Sequence, residues 1–171
     1  MKNPYCMLSL IILIHVCLTG YSQPSDIDRE IDEQVWEPFK TTYAAYDMGS
    51  YNELHTDDVL RITSSGIRRG ESWKKGNIEW QNQRDRSNQP RTIEFSFEHR
   101  LNLDDIAYHV GFYKVVSKNQ KGVWNTSFGR FHVMLKKIDG TWKIAKDWDT
   151  DMIGGIEVTE EMFNHQSSSG K

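Results

Sequence analysis

The stretch Asp139-Gly140-Thr141-Trp142-Lys143-Ile144-Ala145-Lys146-Asp147-Trp148 decides how the C-terminal half of this chain folds. Asp-Gly is a strong signal for a two-residue hairpin turn, because such a turn needs positive φ at both central positions. After it, Trp142 and Ile144 alternate with Thr141 and Lys143, as on a strand with one buried face, ending near Thr150. Before it, residues 123–138 form a very long strand, apolar or aromatic at both parities. A strand of that length must bend, and Gly129 is the natural place.

Working outward toward the N-terminus, Ile93, Phe95, Phe97, His99 and Leu101 alternate with Glu94, Ser96, Glu98 and Arg100. This period of two predicts another strand. Residues 106–117 form the next one, with Gly111 a candidate bulge. Further upstream the period changes. Ile27, Ile31, Val35, Phe39, Tyr43 and Tyr46 recur at helical spacing behind a cap at Ser25 or Asp26. Pro38 predicts a kink or restart in this helix, and Gly49 its end. A short turn or helix follows at 51–54, then a strand at 57–62, a turn at Ser64-Ser65-Gly66 and a polar helix from Gly70 to about residue 85. Ser87-Asn88-Gln89-Pro90 breaks that helix. Helices gathered ahead of an antiparallel meander of four long strands predict an α+β fold.

The N-terminus reads differently. Lys2 is followed by the apolar run MLSLIILIHVCL at 7–18, then by the small residues Gly20 and Ser22. This is the pattern of a secretory signal peptide, with cleavage expected after Ser22. The run is too short to span a hydrocarbon layer of about 30 Å as a helix. An uncleaved anchor is one alternative. A lipoprotein anchored at Cys17 is the other, and Val16 is too large for the position before a lipidated cysteine. The expected organisation is therefore a signal at 1–22, one domain at 23–153 and a partly disordered tail at 154–171. The exported protein is expected in the periplasm or outside the cell, without a stable membrane anchor.

Removing 22 of 171 residues leaves 149, enough for one domain with a real core. Cys6 and Cys17 are the only cysteines and both leave with the signal, so packing alone must hold the fold. The net charge of the whole chain is −3, and no Lys/Arg block stands out, so no nucleic-acid partner is expected.

The segment 139–148 quoted above resembles the last hairpin of NTF2-like proteins, most nearly the SnoaL-like and DUF4440-like branch. The segment His55-Thr56-Asp57-Asp58-Val59-Leu60-Arg61-Ile62, followed by Gly66 and Gly70, resembles that branch's second landmark. The resemblance covers roughly 27–151. It implies a cone, in which three N-terminal helices pack in a strongly curved antiparallel sheet. It also implies a pocket at the wide end and frequently a homodimer through the sheet. The best-understood enzymes of such a fold are ketosteroid isomerases, which need a carboxylate base and an oxyanion hole made of a Tyr and a protonated acid. Here Thr63 falls where the resemblance would place the base, and residues 123–138 contain no Asp or Glu for the hole. That mechanism is not expected.

Other chemistry rests on fewer residues. His109 and His132 lie on strands among aromatics, and a strand His in a pocket is a good acid or base near neutral pH. Asp147 is the acid inside the family-like segment and is a candidate orienting group. If buried, it needs a partner such as Arg61, Arg130 or a His. Trp36, Tyr43 and Tyr46 on the first helix, with Trp124 and Phe128 on the long strand, are candidate ligand contacts; the alternative for each is plain core. Asp147, Asp149 and Asp151 alternate, but Met152 and Val158 fall where a calcium loop needs Gly and a ligating acid, so no metal is expected. No cofactor is expected, and no Ser-His-Asp order, phosphate loop or nucleophilic Cys is present after the signal. The leading expectation is an exported domain binding a small, partly apolar molecule. The alternatives are an enzyme of SnoaL or isomerase type with a pocket His as general base, and an interaction module whose cone is filled by its own side chains.

Overall fold

The computed structural model describes residues 26–83 and 89–169, with side chains through residue 165. The expected signal segment, the candidate cap at Ser25 and part of the break after the polar helix lie outside these residues.

Helix α1 covers 26–45 in three parts: α-helical over Asp26–Ile31, π-helical over Asp32–Trp36 and α-helical over Glu37–Ala45. The stripe Ile27, Ile31, Val35, Phe39, Tyr43 explains the middle part. An α-helix turns about 100° per residue, so a strict four-residue repeat drifts by about 40° each step. A wider π turn takes up that drift and keeps the stripe on one face. Pro38 sits in the first turn of the part that follows, where its missing N–H costs little. The helix ends at Tyr46, in the left-handed region with φ 58°, and not at Gly49. Gly49 instead lies inside α2, Met48–Glu53, which Asp47 caps by accepting from the Ser50 amide.

Strand β1 is His55–Thr63, β2 is Gly66–Arg69, and helix α3 is Gly70–Asn82. The long strands are β3 Arg91–Asn102, β4 Ile106–Lys118, β5 Trp124–Ile138 and β6 Thr141–Thr150. The turn between β5 and β6 has Asp139 at φ 50° and Gly140 at φ 80°, as the Asp-Gly pair requires. One sheet orders these strands β2-β1-β6-β5-β4-β3. The meander β3 to β6 is antiparallel, but β1 runs parallel to β6, so the strongly curved sheet is mixed where an antiparallel one was expected. Helix α2 reverses the chain and delivers β1 to the open edge of β6 in that direction.

Trp36, Phe39, Trp73, Phe131, Val133, Leu135, Trp142 and Ile144 are buried between the helices and the concave face. Gly111 lies opposite a bulge in β3 between Phe97 and His99, and a Cβ there would meet the Ser96 carbonyl at 2.2 Å. Gly129 pairs with Tyr113, whose ring lies 2.3 Å from where a Cβ would stand. The glycine expected to bend β5 therefore also makes room for a cross-strand aromatic.

Beyond 153, where a weak tail was expected, a short hairpin β7 Met152–Ile153 with β8 Ile156–Glu157 leads into helix α4, Glu160–Ser169. Val158 and Phe163 pack with Phe112 on the opposite face of the sheet. Two anchors at this spacing carry too little periodicity to be read from sequence. Among the described residues, no helix is long and apolar enough to cross a membrane.

Candidate functional site

A cavity of about 290 Å³ lies between α1 and the concave face of the sheet. Trp36, Phe39 and Tyr43 from α1 and Tyr51 from α2 line it on one side. Ile93 and Phe95 of β3, Tyr113 and Val115 of β4, and Ser127, Phe131 and Val133 of β5 form the sheet side. Arg61 of β1 and Asp147 and Asp149 of β6 supply its charge.

The parallel pairing of β1 with β6 sets Arg61 directly across from Asp147. The Arg61 Nη1 lies 2.9 Å from Asp147 Oδ1, and Nη2 binds Asp149 Oδ2. Asp147 is only 6% exposed. Burial pushes its carboxyl up to about 6, against the pull of Arg61 and with help from Asp149. Burial acts against the Arg61 charge too, but the two carboxylates outweigh it and hold the guanidinium above its ordinary range. Burial also raises the Tyr43, Tyr51 and Tyr113 phenols; Asp147 adds to the effect at Tyr51 and Asp149 at Tyr113. All three phenols stay neutral near pH 7.

Of the residues singled out from sequence, Trp36, Tyr43 and Asp147 line this cavity. The other five do not. His109 is fully buried in a closed chain: the Trp36 indole N–H donates to Nδ1 at 3.0 Å, so Nε2 carries the hydrogen and donates to Asn102 Oδ1 at 2.8 Å. Burial lowers its pKa to about 3. With both nitrogens engaged it has no lone pair to offer a substrate. His132 lies on the opposite face of the sheet, its Nδ1 2.5 Å from the Tyr108 hydroxyl and its ring 4.8 Å from that of Trp148. Phe128 packs against Phe163 of α4, with the rings tilted at 50°. Trp124 is 57% exposed near Lys118. Tyr46 donates its hydroxyl to the Gln89 carbonyl and sandwiches Arg91 with Tyr43. The reason is parity. Phe131, Val133 and Leu135 face the core, so Trp124, Phe128 and His132 cannot.

A second histidine is buried as well. His55 donates from Nδ1 to the Tyr51 carbonyl at 2.9 Å, and its Nε2 has no partner among the described residues. Burial lowers its pKa to about 3. It supports the cavity wall from behind and does not line it.

Sequence reasoning missed Tyr51, Tyr113 and the second acid of the trio, Asp149. The signal for Asp149 was present, since it shares parity with Asp147 two residues further along the same strand.

No family model matches the chain, and no curated protein matches it by sequence. Solved structures do. An NTF2-like protein of unknown function from Shewanella oneidensis aligns at TM-score 0.59 and 18% identity, over 72% of this chain and 98% of that one. A ketosteroid isomerase-like protein from Erwinia carotovora atroseptica gives 0.58 and 15%, over 74% and 96%. An NTF2-like superfamily protein from Salmonella enterica serovar Typhimurium gives 0.58 and 16%, over 71% and 87%. At such identities the likeness speaks for the fold, and the fold of this chain is NTF2-like.

Proposed function

We propose that this chain is an exported NTF2-like domain that binds a small, partly apolar molecule in the cavity between α1 and the sheet. One observation carries the reading: an aromatic-walled space holds three charged groups at one wall and is not filled by the side chains of the described residues. A volume near 290 Å³ is at the small end of ligand pockets, about 300–1,000 Å³, and suits a one-ring molecule. Export rests on the 1–22 segment and the SnoaL-like assignment on the two sequence landmarks. A homodimer would use the face away from α1, where Leu101 and Tyr108 are exposed beside Met134.

The test is mass spectrometry of small molecules carried by natively purified protein, with Ser127→Trp as the comparison. Ser127 is exposed at the cavity wall, so the indole blocks the space without touching the core. A molecule recovered from the wild type and lost from the variant supports binding. Equal recovery from both refutes it. An enzyme is the second reading, favoured by the Asp147 carboxyl at about 6, a suitable value for an acid or base near neutral pH. It replaces the pocket His, because among the described residues no histidine lines the cavity. It requires Asp147→Asn to abolish turnover of the recovered molecule while leaving its binding.

A further inference from the structure

The cavity's charge does not balance. One guanidinium faces two carboxylates, which leaves one negative charge on the wall when all three are ionised. Arg61 is already paired: Nη1 reaches the Asp147 carboxylate and lies 3.5 Å from its carbonyl, and Nη2 holds Asp149. Two carboxylates against one guanidinium leave it no net positive charge to offer an anionic ligand. Among the described residues, no second cation lines the cavity. Arg130 lies over Phe112 on the opposite face and pairs with Glu98 at 2.7 Å, and Arg91 is taken up between Tyr43 and Tyr46.

The remaining walls favour positive charge. Trp36, Phe39, Tyr51, Phe95, Tyr113 and Phe131 present aromatic rings, whose faces attract cations. Tyr43 is left out because Arg91 already lies 3.7 Å from its ring centroid. Tyr51 is 8% exposed and lines the cavity with its phenol. It can accept from an N–H of a ligand. Resting on the small-molecule reading above, we propose that the cavity selects an organic amine: an ammonium group set against Asp147, Asp149 and Tyr51, carried on one apolar ring.

The test compares three probes of one shape on the full-length processed protein at pH 7.5, by calorimetry and ligand-observed NMR: phenethylamine, 2-phenylethanol and phenylacetate. The amine is expected to bind about tenfold more tightly than the alcohol, a difference of roughly 1.4 kcal/mol, with phenylacetate weakest. Asp149→Asn keeps the shape and removes the surplus charge. It should erase the amine's advantage over the alcohol, and a denaturant midpoint close to the wild type's reports that the variant is folded. A pH arm does not depend on that variant. The groups facing Asp147 are Arg61 from β1, Asp149 on its own strand, Tyr51 from α2 and Tyr113 from β4, while β3 and β5 contribute none. Asp147, raised to about 6, gains a proton between pH 7.5 and 5, so the amine's advantage should fall over that range. An alcohol that binds as well as the amine, a tightest-binding phenylacetate, or an amine advantage that survives both arms overturns the proposal and leaves small-molecule binding standing. No binding by any probe also overturns it; recovery of a neutral native ligand would then still support the broader reading.

Discussion

Two polar neighbourhoods meet at Trp36 and have opposite characters. On one side its indole N–H enters the chain Trp36–His109–Asn102, which sits in a filled core beside Phe97 and Phe131. Every polar atom of that imidazole has a partner, and the ring is neutral. On the other side the same indole borders a space into which Arg61, Asp147 and Asp149 project with charges that do not cancel. Both neighbourhoods are aromatic and both bury titratable groups. Burial and a shifted pKa therefore do not distinguish a site from a satisfied core. Leftover space and leftover charge do.

The filled side should respond to lost volume above all. Trp142 is 1% exposed and donates its indole N–H to Glu30, so Trp142→Ala should cost about 3–5 kcal/mol in chemical denaturation. A small change would mean that this side is as loosely packed as the cavity.

Acid should separate the two sides by sign. His55 and His109, held neutral with pKa values of about 3, contribute stability above about 6.5 that is lost as pH falls toward 3. Asp147, raised from 3.8 to about 6, works the other way: its contribution is full below 3.8 and is lost as pH rises through 6. Two groups against one predict net destabilisation on acidification. Asp147→Asn removes the opposing contribution and should steepen the loss between pH 6 and 4, read from denaturant midpoints across pH. A shallower profile would contradict the buried-acid assignment.

Gly129→Ala tests the seam between space and core. The new methyl must displace the Tyr113 ring, at about 1–3 kcal/mol, and the displaced ring should change probe affinity in the cavity. His132→Ala should do least. The ring is half-buried on the other face, so stability should change by about 0.5 kcal/mol or less and cavity binding not at all. A loss of binding there would move the site to the other side of the sheet.

The meander and the first helix were legible because Ile93–Leu101 and Ile27–Tyr43 each carry a single clean period. The Asp-Gly turn fixed the register of the last hairpin. Asp147 could be singled out, and Arg61 named among its possible partners, because a buried acid needs a cation. The face of β5 could not be read, because Trp124, Phe128 and Met134 look as core-like as Phe131, Val133 and Leu135. His109 did face inward, but only the fold brings Trp36 against it across 73 positions. Tyr51 and Tyr113 became cavity residues through the parallel edge and the space over Gly129, neither of which is a local pattern.

Helix α4 has a practical consequence for anyone trimming this protein. The apolar periodicity stops near residue 153, which invites a shortened form ending there. Such a form would discard Val158 and Phe163 and bare Phe112, now 5% exposed, together with Phe128. The product would keep its cavity and gain an adhesive back, prone to self-association that could be mistaken for a native dimer. The safe cut lies past α4, and an affinity handle fused there starts on the side of the sheet opposite the cavity.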